Sequence, residues 1–293
     1  MTDNIQLTED QITKAAESLK QLRPAYGAIL DCYKQIFIAQ KYSKNKIQID
    51  PIQISDEMLS IKADEEFPLV NLSEFAIDAK ASKMLLIKIC GITKASSGDM
   101  ASSARAILKA IDAEEFDLDS LFFGLIEEND SVFEKTAKKH DIKKGDLAFI
   151  VYNSIKPSLS ICAQQLSTYL DKDQPWTKGY CPICGSPPML SMFEGEGGER
   201  FLLCGFCGHK WSSRRLYCPF CDNTDSKILN YLYSEEEKEY RIDLCDKCKK
   251  YIKTIDTRKT ERIIYPPLEH VATLHLDIKA KEMKYESGID FAL

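Results

Sequence analysis

Eight of the eleven cysteines in this chain fall into four Cys-x-x-Cys pairs between residues 181 and 248. Two residues between cysteines is the spacing of a metal knuckle, a tight turn that points both sulfurs at one ion. Four knuckles supply the ligands of two tetrathiolate sites. The candidate metal ligands are Cys181, Cys184, Cys204, Cys207, Cys218, Cys221, Cys245 and Cys248.

Two other uses of paired cysteines fit this sequence less well. Disulfides form in oxidising compartments, and the opening residues MTDNIQLTED lack the basic and apolar stretches of a secretory signal. We therefore expect a cytoplasmic protein whose thiols stay reduced. Thioredoxin-like chemistry normally uses one Cys-x-x-Cys at a helix start, not four in tandem among turn residues. The apolar runs are also too short to predict a membrane span.

The cysteine pairs form an internal repeat that predicts how they combine. A Cys-Pro-x-Cys knuckle at Cys181 recurs 37 positions later, at Cys218. Each is followed by two strand-like segments around a polar turn and then by another cysteine pair, which predicts a β-hairpin. Sequential pairing, first pair with second and third with fourth, closes each site around its own hairpin. A cross-braced pairing, first with third and second with fourth, is the alternative.

The residues around the knuckles leave the identity of the metal open. Gly185 and Gly208 each follow a second cysteine directly, and glycine suits the positive-φ position of such a turn. Four thiolates in a tetrahedron suit zinc or iron. Zinc would be structural, whereas iron would form a rubredoxin-like centre capable of a one-electron change. From spacing alone, zinc is the default.

The first 172 residues have the pattern of a helical domain. Thr8 with Gln11 forms a capping-box signal for a helix start. Apolar residues three and four apart predict further helices over 26–37, 72–92, 98–113, 118–128, 131–139 and 144–170. We expect a kink or break at Pro157 and a strand-like connector over 44–70. Three cysteines on apolar helix faces should act as small hydrophobic residues: Cys32, Cys90 and Cys162.

The chain is therefore expected to be an α+β protein. An all-α helical N-terminal domain precedes two tandem rubredoxin-like or zinc-ribbon β modules. The predicted domains are 1–172 for the helices, 173–214 for the first four-cysteine module, 215–262 for the second, and 263–293 for a C-terminal tail that packs back on the domains.

Charge and motifs argue against several functional classes. The net charge is -6, and residues 181–260 contain 13 Lys and Arg against 12 Asp and Glu, so the sequence predicts no basic face for nucleic acid. The segment EGEGGE lacks the Lys-Ser/Thr of a phosphate loop, and neither GxSxG nor HExxH occurs. We expect no catalytic residue and no enzyme activity. His209 could replace a ligand, but eight cysteines already complete two sites, so a surface role is expected for it.

Several segments together resemble the formate dehydrogenase accessory protein family, FdhE. These segments are CPICGSPP, LLCGFCGHKW, SSRRLYCPFC, DLCDKCKKYIKT and the tail YPPLEHVATLHLDIKAKEMKYESG. The specific part of the resemblance covers residues 178–293, and the helical half matches in layout.

The resemblance implies a cytoplasmic accessory or assembly protein. Members of the family bind the catalytic subunit of respiratory formate dehydrogenase before its export, and they carry iron in rubredoxin-like sites built from Cys-x-x-Cys pairs. All eight candidate cysteines match those pairs. The expected cofactors are therefore two iron ions, ferric or ferrous, with zinc as the alternative occupant. The expected partner is the formate dehydrogenase catalytic subunit, and exchange of an electron with it is a hypothesis.

Two other functions stay open at this point. One is a zinc-ribbon interaction protein in transcription or RNA processing, and the other is a small rubredoxin-like electron carrier. The tail of the family typically has two acidic residues before an LATLALD-like stretch, where this chain has Leu268-Glu269-His270-Val271. If that acidic pair contacts the client, the contact is expected to differ here.

Overall fold

A computed structural model describes residues 7–95, 98–171 and 175–289. The chain divides into two compact units. Of the described residues, the first unit contains 7–30, 53–70, 166–171 and 175–289, and the second contains 31–52, 71–95 and 98–165. The predicted domain boundary at 172/173 lies outside the described residues. The boundaries at 214/215 and 262/263 stay predictions.

Every predicted helix has a counterpart in the structure. The α-helices of the described residues are α1 (Glu9–Leu22), α2 (Gly27–Lys44), α3 (Asp56–Asp64), α4 (Ala79–Thr93), α5 (Asp99–Asp112), α6 (Leu118–Ile126), α7 (Asp130–His140), α8 (Lys144–Leu166), α9 (Pro266–Ala272) and α10 (Leu274–Glu282). The expected strand-like connector over 44–70 is wrong, because this stretch forms α3 and no strand. None of the helices described is long and apolar enough to cross a membrane.

The start of α1 confirms the predicted capping box. The Gln11 amide donates to the Thr8 hydroxyl at 3.2 Å, and the Thr8 amide donates to the Gln11 side chain at 2.8 Å. The two bonds satisfy amides that the first helical turn leaves without partners. The apolar stripe of α1, which includes Ile12 and Leu19, is buried, and α1 packs against α9 within the first unit.

Helix α8 runs without a break through Pro157, contrary to the expected kink or split. Proline lacks the amide that would bond the carbonyl four residues earlier, which here belongs to Asn153. The Gln40 side chain donates to that carbonyl at 2.8 Å, and both Gln40 and Asn153 are buried. A side-chain amide therefore replaces the missing backbone donor inside the second unit.

The core of the second unit consists of apolar side chains from its helices, among them Ile89, Phe122 and Ile150. Cys90 and Cys162 are completely buried in this unit, and Cys32 is half-buried. All three lie in helices, as predicted, and Cys90 and Cys162 belong to the buried core, where a free cysteine packs as a small hydrophobic residue.

Seven strands of the first unit form one sheet. They are β1 (Pro188–Glu194), β2 (Glu199–Cys204), β3 (Lys210–Ser213), β4 (Leu229–Tyr233), β5 (Tyr240–Cys245), β6 (Lys250–Asp256) and β7 (Glu286–Ser287). The strand order is β3-β2-β1-β6-β5-β4, with β7 beside β6. The hairpins predicted within each cysteine repeat are confirmed as the antiparallel pairs β1–β2 and β4–β5. The two repeats join where β1 runs parallel to β6.

The two faces of the sheet differ because side chains alternate along each strand. One face is apolar and packs against the C-terminal helices, with Met192, Ile242 and Ile255 in its clusters and Leu276 and Ala280 contributed by α10. The opposite face is more polar. Its residues follow from the strand register and include Ser191, Phe193, Arg200, Arg241, Asp243 and Thr254.

Candidate metal centres

The first cysteine cluster lies at the end of the β1–β2 hairpin. The sulfur of Cys184 is 3.5 Å from that of Cys204 and 3.6 Å from that of Cys207, and Cys181 and Cys207 are 3.7 Å apart. All four cysteines are buried. Backbone amides of Phe206 and Cys207 also donate to the Cys204 sulfur, at 3.3 and 3.4 Å.

The second cluster lies at the end of the β4–β5 hairpin. The sulfurs of Cys218 and Cys248 are 3.6 Å apart, and those of Cys221 and Cys245 are 3.7 Å apart. In each cluster the four sulfurs lie within 4.8 Å of one another. The cysteines are thus grouped sequentially, as the internal repeat predicts, and not in the cross-braced arrangement.

Each knuckle turns back on itself through a residue with positive φ. In the first cluster these residues are Gly185 (φ 74°) and Gly208 (φ 77°), as the sequence predicts. In the second cluster Asp222 (φ 54°) and Lys249 (φ 56°) take the same place. The Lys249 amide donates to the Cys245 carbonyl at 2.8 Å, which closes the turn. The left-handed turn is therefore common to both clusters, although only the first uses glycine.

The spacing of the sulfurs fits a tetrahedral metal ion. A metal–sulfur bond of about 2.3 Å places the sulfurs of a tetrahedron about 3.8 Å apart, close to the separations found here. A disulfide would bring two sulfurs to about 2.0 Å, and every described cysteine is a free thiol. The donor set, four thiols at each site, suits zinc or iron.

The electrostatics of the first cluster also favour a cation. Burial raises the pKa of the Cys181 and Cys207 thiols well above their usual range. Hydrogen bonds from Cys181, Cys204 and Cys207 lower the pKa of Cys184. Four thiolates at such a buried place need a bound cation to balance their charge.

The two clusters differ in exposure. The first is sealed, whereas Cys221 and Cys248 of the second are only half-buried. A distant segment of the same unit helps to bury the first cluster: the amides of Leu69 and Val70 donate to the carbonyls of Pro182 and Ile183 in the first knuckle, both at 2.9 Å. This contact could not be predicted from the sequence, because backbone hydrogen bonds between distant residues leave no local pattern.

Other residues near the clusters have structural roles. His209 is buried, contrary to the expected surface role, and its ring lies parallel to that of Trp211, with the ring centroids 6.5 Å apart. Burial lowers the pKa of His209 to about 4, and the imidazole lies outside both groups of metal-ligating atoms. In the tail, Glu269 is completely buried, so its carboxylate contacts this chain itself.

Comparison with known proteins agrees with this geometry. Residues 180–215, which contain the first cluster, match the model of the FdhE central domain. An FdhE homolog of Aquifex aeolicus is 35% identical over 142 residues, covering 47% of this chain and 49% of the relative. An FdhE homolog of Haemophilus influenzae is 25% identical over 217 residues, covering 73% and 62%. FdhE of Escherichia coli K12 is 30% identical over 108 residues, covering 36% and 34%.

The matched segments thus span between about a third and three fifths of the length of these curated relatives. The crystal structure of the FdhE protein from Pseudomonas aeruginosa has the same fold, with a TM-score of 0.68, 21% identity, and coverage of 98% of this chain and 97% of that one. The resemblance to the FdhE family that the cysteine pairs and their flanking segments predict is thereby confirmed.

Proposed function

We propose that this chain is an accessory protein for formate dehydrogenase maturation, which binds the catalytic subunit in the cytoplasm and catalyses no reaction itself. The observation that supports it most is the pair of four-cysteine clusters within a fold shared almost end to end with an FdhE protein. The partner follows from the family resemblance of residues 178–293.

We further propose that the eight cysteines hold two iron ions. Iron in a tetrathiolate site would supply a one-electron couple between its ferric and ferrous states. The residues of this chain bind the ion, close the turns around it and, at the first cluster, exclude water. Zinc fits the same sulfur spacing and would give the sheet the same support without a redox change.

The position of the clusters supports a structural role for the metal, whether it is iron or zinc. Each cluster joins the base of a hairpin to the knuckle before it, so metal binding and folding of the sheet are coupled. Loss of one ion should loosen the end of β1–β2 or of β4–β5. Because β1 and β6 are neighbours in one sheet, partner binding should depend on both clusters.

The test combines metal analysis with capture of the catalytic subunit. Protein purified without oxygen from its native source should contain two iron ions per chain, show the strong visible absorption of ferric tetrathiolate, and retain the formate dehydrogenase catalytic subunit. Cys184→Ser and Cys221→Ser should each retain one ion and capture less subunit. Cys32→Ser, a matched substitution outside both clusters, should retain both ions and full capture.

The two parts of this function fail in different ways. Two zinc ions and no redox response in voltammetry would contradict iron but leave the partner intact. A wild-type protein with two ions that does not capture the subunit would contradict the partner. Salt-dependent retention of DNA or RNA in its place would favour the zinc-ribbon alternative.

A further inference from the structure

One edge strand of the sheet, β4, has backbone groups that point away from its neighbour. Within the described residues β4 pairs with β5 alone. The Asp246 amide donates to the Ile228 carbonyl at 2.9 Å. Hydrogen-bonded pairs alternate along an antiparallel ladder, so Asn230 and Leu232 bond to β5. The N–H and C=O groups of 229, 231 and 233 therefore point outward, at the two-residue repeat of a strand.

This edge lacks the features that usually protect a sheet from a further strand. Charged residues, proline and bulges commonly block such edges, whereas β4 reads LNYLY. Tyr231 and Tyr233 are 56% and 55% exposed, and their rings stack at 6.1 Å. The opposite edge, β3, is four residues long and begins with Lys210. Of the two edges, β4 is thus the one open to a further strand.

A positively charged hollow lies beside β4 on the more polar face of the sheet. Its volume is about 110 Å³, and its lining includes the apolar residues Leu229 and Ile252. The charged residues that line it are Arg200, Arg215, Arg241, Lys250 and Asp243.

The charges of this hollow are unbalanced. The Asp243 carboxylate lies 2.9 Å from Arg241 and 3.7 Å from Arg200. Neither Arg215 nor Lys250 has a carboxylate partner in the part of the chain that the structure describes. The hollow therefore carries an excess positive charge on a protein whose net charge is -6.

We propose that β4 and this hollow bind an extended acidic segment of a partner polypeptide. The segment adds to the sheet as a strand against β4, and its carboxylates lie at Arg215 and Lys250. Backbone pairing supplies affinity and the cations select the charge. A polypeptide is favoured over a nucleic acid, because the outward N–H and C=O groups of β4 repeat as those of a strand do. These observations support the binding of an acidic segment by themselves, and only the identification of the partner as the formate dehydrogenase catalytic subunit rests on the proposed function.

The hollow lies next to the second cysteine cluster. Cys218 and Cys245 also line the hollow, and Cys221 and Cys248 are the half-buried cysteines of the protein's two clusters. A segment bound along β4 therefore lies beside the more exposed metal site. The first cluster is buried, and the backbone of Leu69 and Val70, in the same unit, covers its first knuckle.

The test uses the full chain with both metals and a fluorescein-labelled peptide of alternating Glu and Val. Fluorescence anisotropy should show binding that Tyr231→Pro weakens about tenfold, since proline removes an outward amide and leaves the ladder to β5 intact. Tyr231→Val, which keeps that amide, should bind nearly as the wild type. Arg215→Ala should also weaken binding, whereas Arg105→Ala, on an exposed face of α5, should not. Metal content and circular dichroism confirm that each variant is folded.

Hydrogen exchange gives a second readout that charge attraction alone would not change. Peptide binding should slow exchange of the amides of 229, 231 and 233. Absence of binding, equal binding of a Lys-Val peptide, or equal affinity of Tyr231→Pro would overturn the proposal. Protection of the same amides by a single-stranded oligonucleotide would also overturn it, because the bound molecule would then be a nucleic acid. A dimer in sedimentation that Tyr231→Pro abolishes would overturn it too, because a second copy of this chain would then occupy β4. Capture of the formate dehydrogenase subunit is scored separately.

Discussion

Arg262 donates to both carboxylate oxygens of Glu269, and the Glu269 side chain has no exposed surface. The Tyr240 hydroxyl donates to the same carboxylate. Tyr240 begins β5 and Glu269 lies in α9, so these contacts fasten the C-terminal helices to the sheet. The charge of this acidic tail residue is thus used inside the chain.

Replacement of Glu269 by glutamine should lower the free energy of unfolding by about 3 kcal/mol, because it removes the nearest carboxylate from the Arg262 charge and leaves only Glu239, 3.9 Å away. Urea denaturation measures the change. Glu282→Gln is the control: its pair with Lys279 is exposed, at 3.5 Å, and should contribute less than about 1 kcal/mol. Equal losses for the two variants would contradict the role assigned to the buried pair.

The difference in burial between the clusters predicts two rates of metal loss. A chelator should remove one ion quickly and the other slowly, because Cys221 and Cys248 are half-buried and the first cluster is sealed. Chelator absorbance followed over time should show two phases of equal amplitude. Cys221→Ser should remove the fast phase, and Cys184→Ser the slow one. A fast phase that survives in Cys221→Ser would show that the sealed cluster releases its ion first.

Gly179 leaves no room for a side chain beside the second knuckle. An added Cβ would lie 1.9 Å from the carbonyl oxygen of Pro219, the residue after Cys218. Gly179→Ala should therefore displace this knuckle, weaken metal binding at the second cluster and lower the thermal midpoint. Gly91→Ala in α4 meets nothing within 4 Å and should stabilise the protein by up to about 1 kcal/mol. Full metal content in Gly179→Ala would show that the knuckle does not depend on this approach.

Burial raises the pKa of the Cys90 thiol from 9.0 to about 12. Because the folded-state pKa is the higher one, the thiol contributes stability that is complete below pH 9 and is lost as the pH rises towards 12. Cys90→Ala should therefore show a shallower decline in stability above pH 9 than the wild type. Alkylation by iodoacetamide, read by peptide mass spectrometry, should label Cys90 in urea at pH 9.5 but not in the folded protein. Rapid labelling of the folded protein would contradict the burial.

The cysteine sites could be predicted from the sequence because their information is local. Two ligands sit in each turn, and the repeat of hairpin and knuckle groups them correctly. The join between the repeats could not be predicted, since the pairing of Met192 with Ile255 is parallel and links distant strands. The cover that Leu69 and Val70 place over the first knuckle uses backbone atoms and has no residue pattern.

The helical half shows the same limit at one residue. Pro157 is correctly read as a helix breaker in isolation. The break does not occur because Gln40, 113 residues away from Asn153, donates to the carbonyl that proline leaves free. Local propensity predicts the helices, whereas the continuity of α8 depends on a tertiary hydrogen bond from Gln40.

Neither four-cysteine repeat is an independent structural unit, because the two repeats share one sheet. A fragment of residues 180–215 would contain the first cluster and β1. The backbone of β1 that pairs with β6, at Ser191, Met192 and Phe193, would be exposed in it. The remaining chain would likewise keep β6 without its parallel neighbour. Transfer of one site to another protein, or its separate evolution, therefore requires a new neighbouring strand for β1 or β6 in addition to the four cysteines.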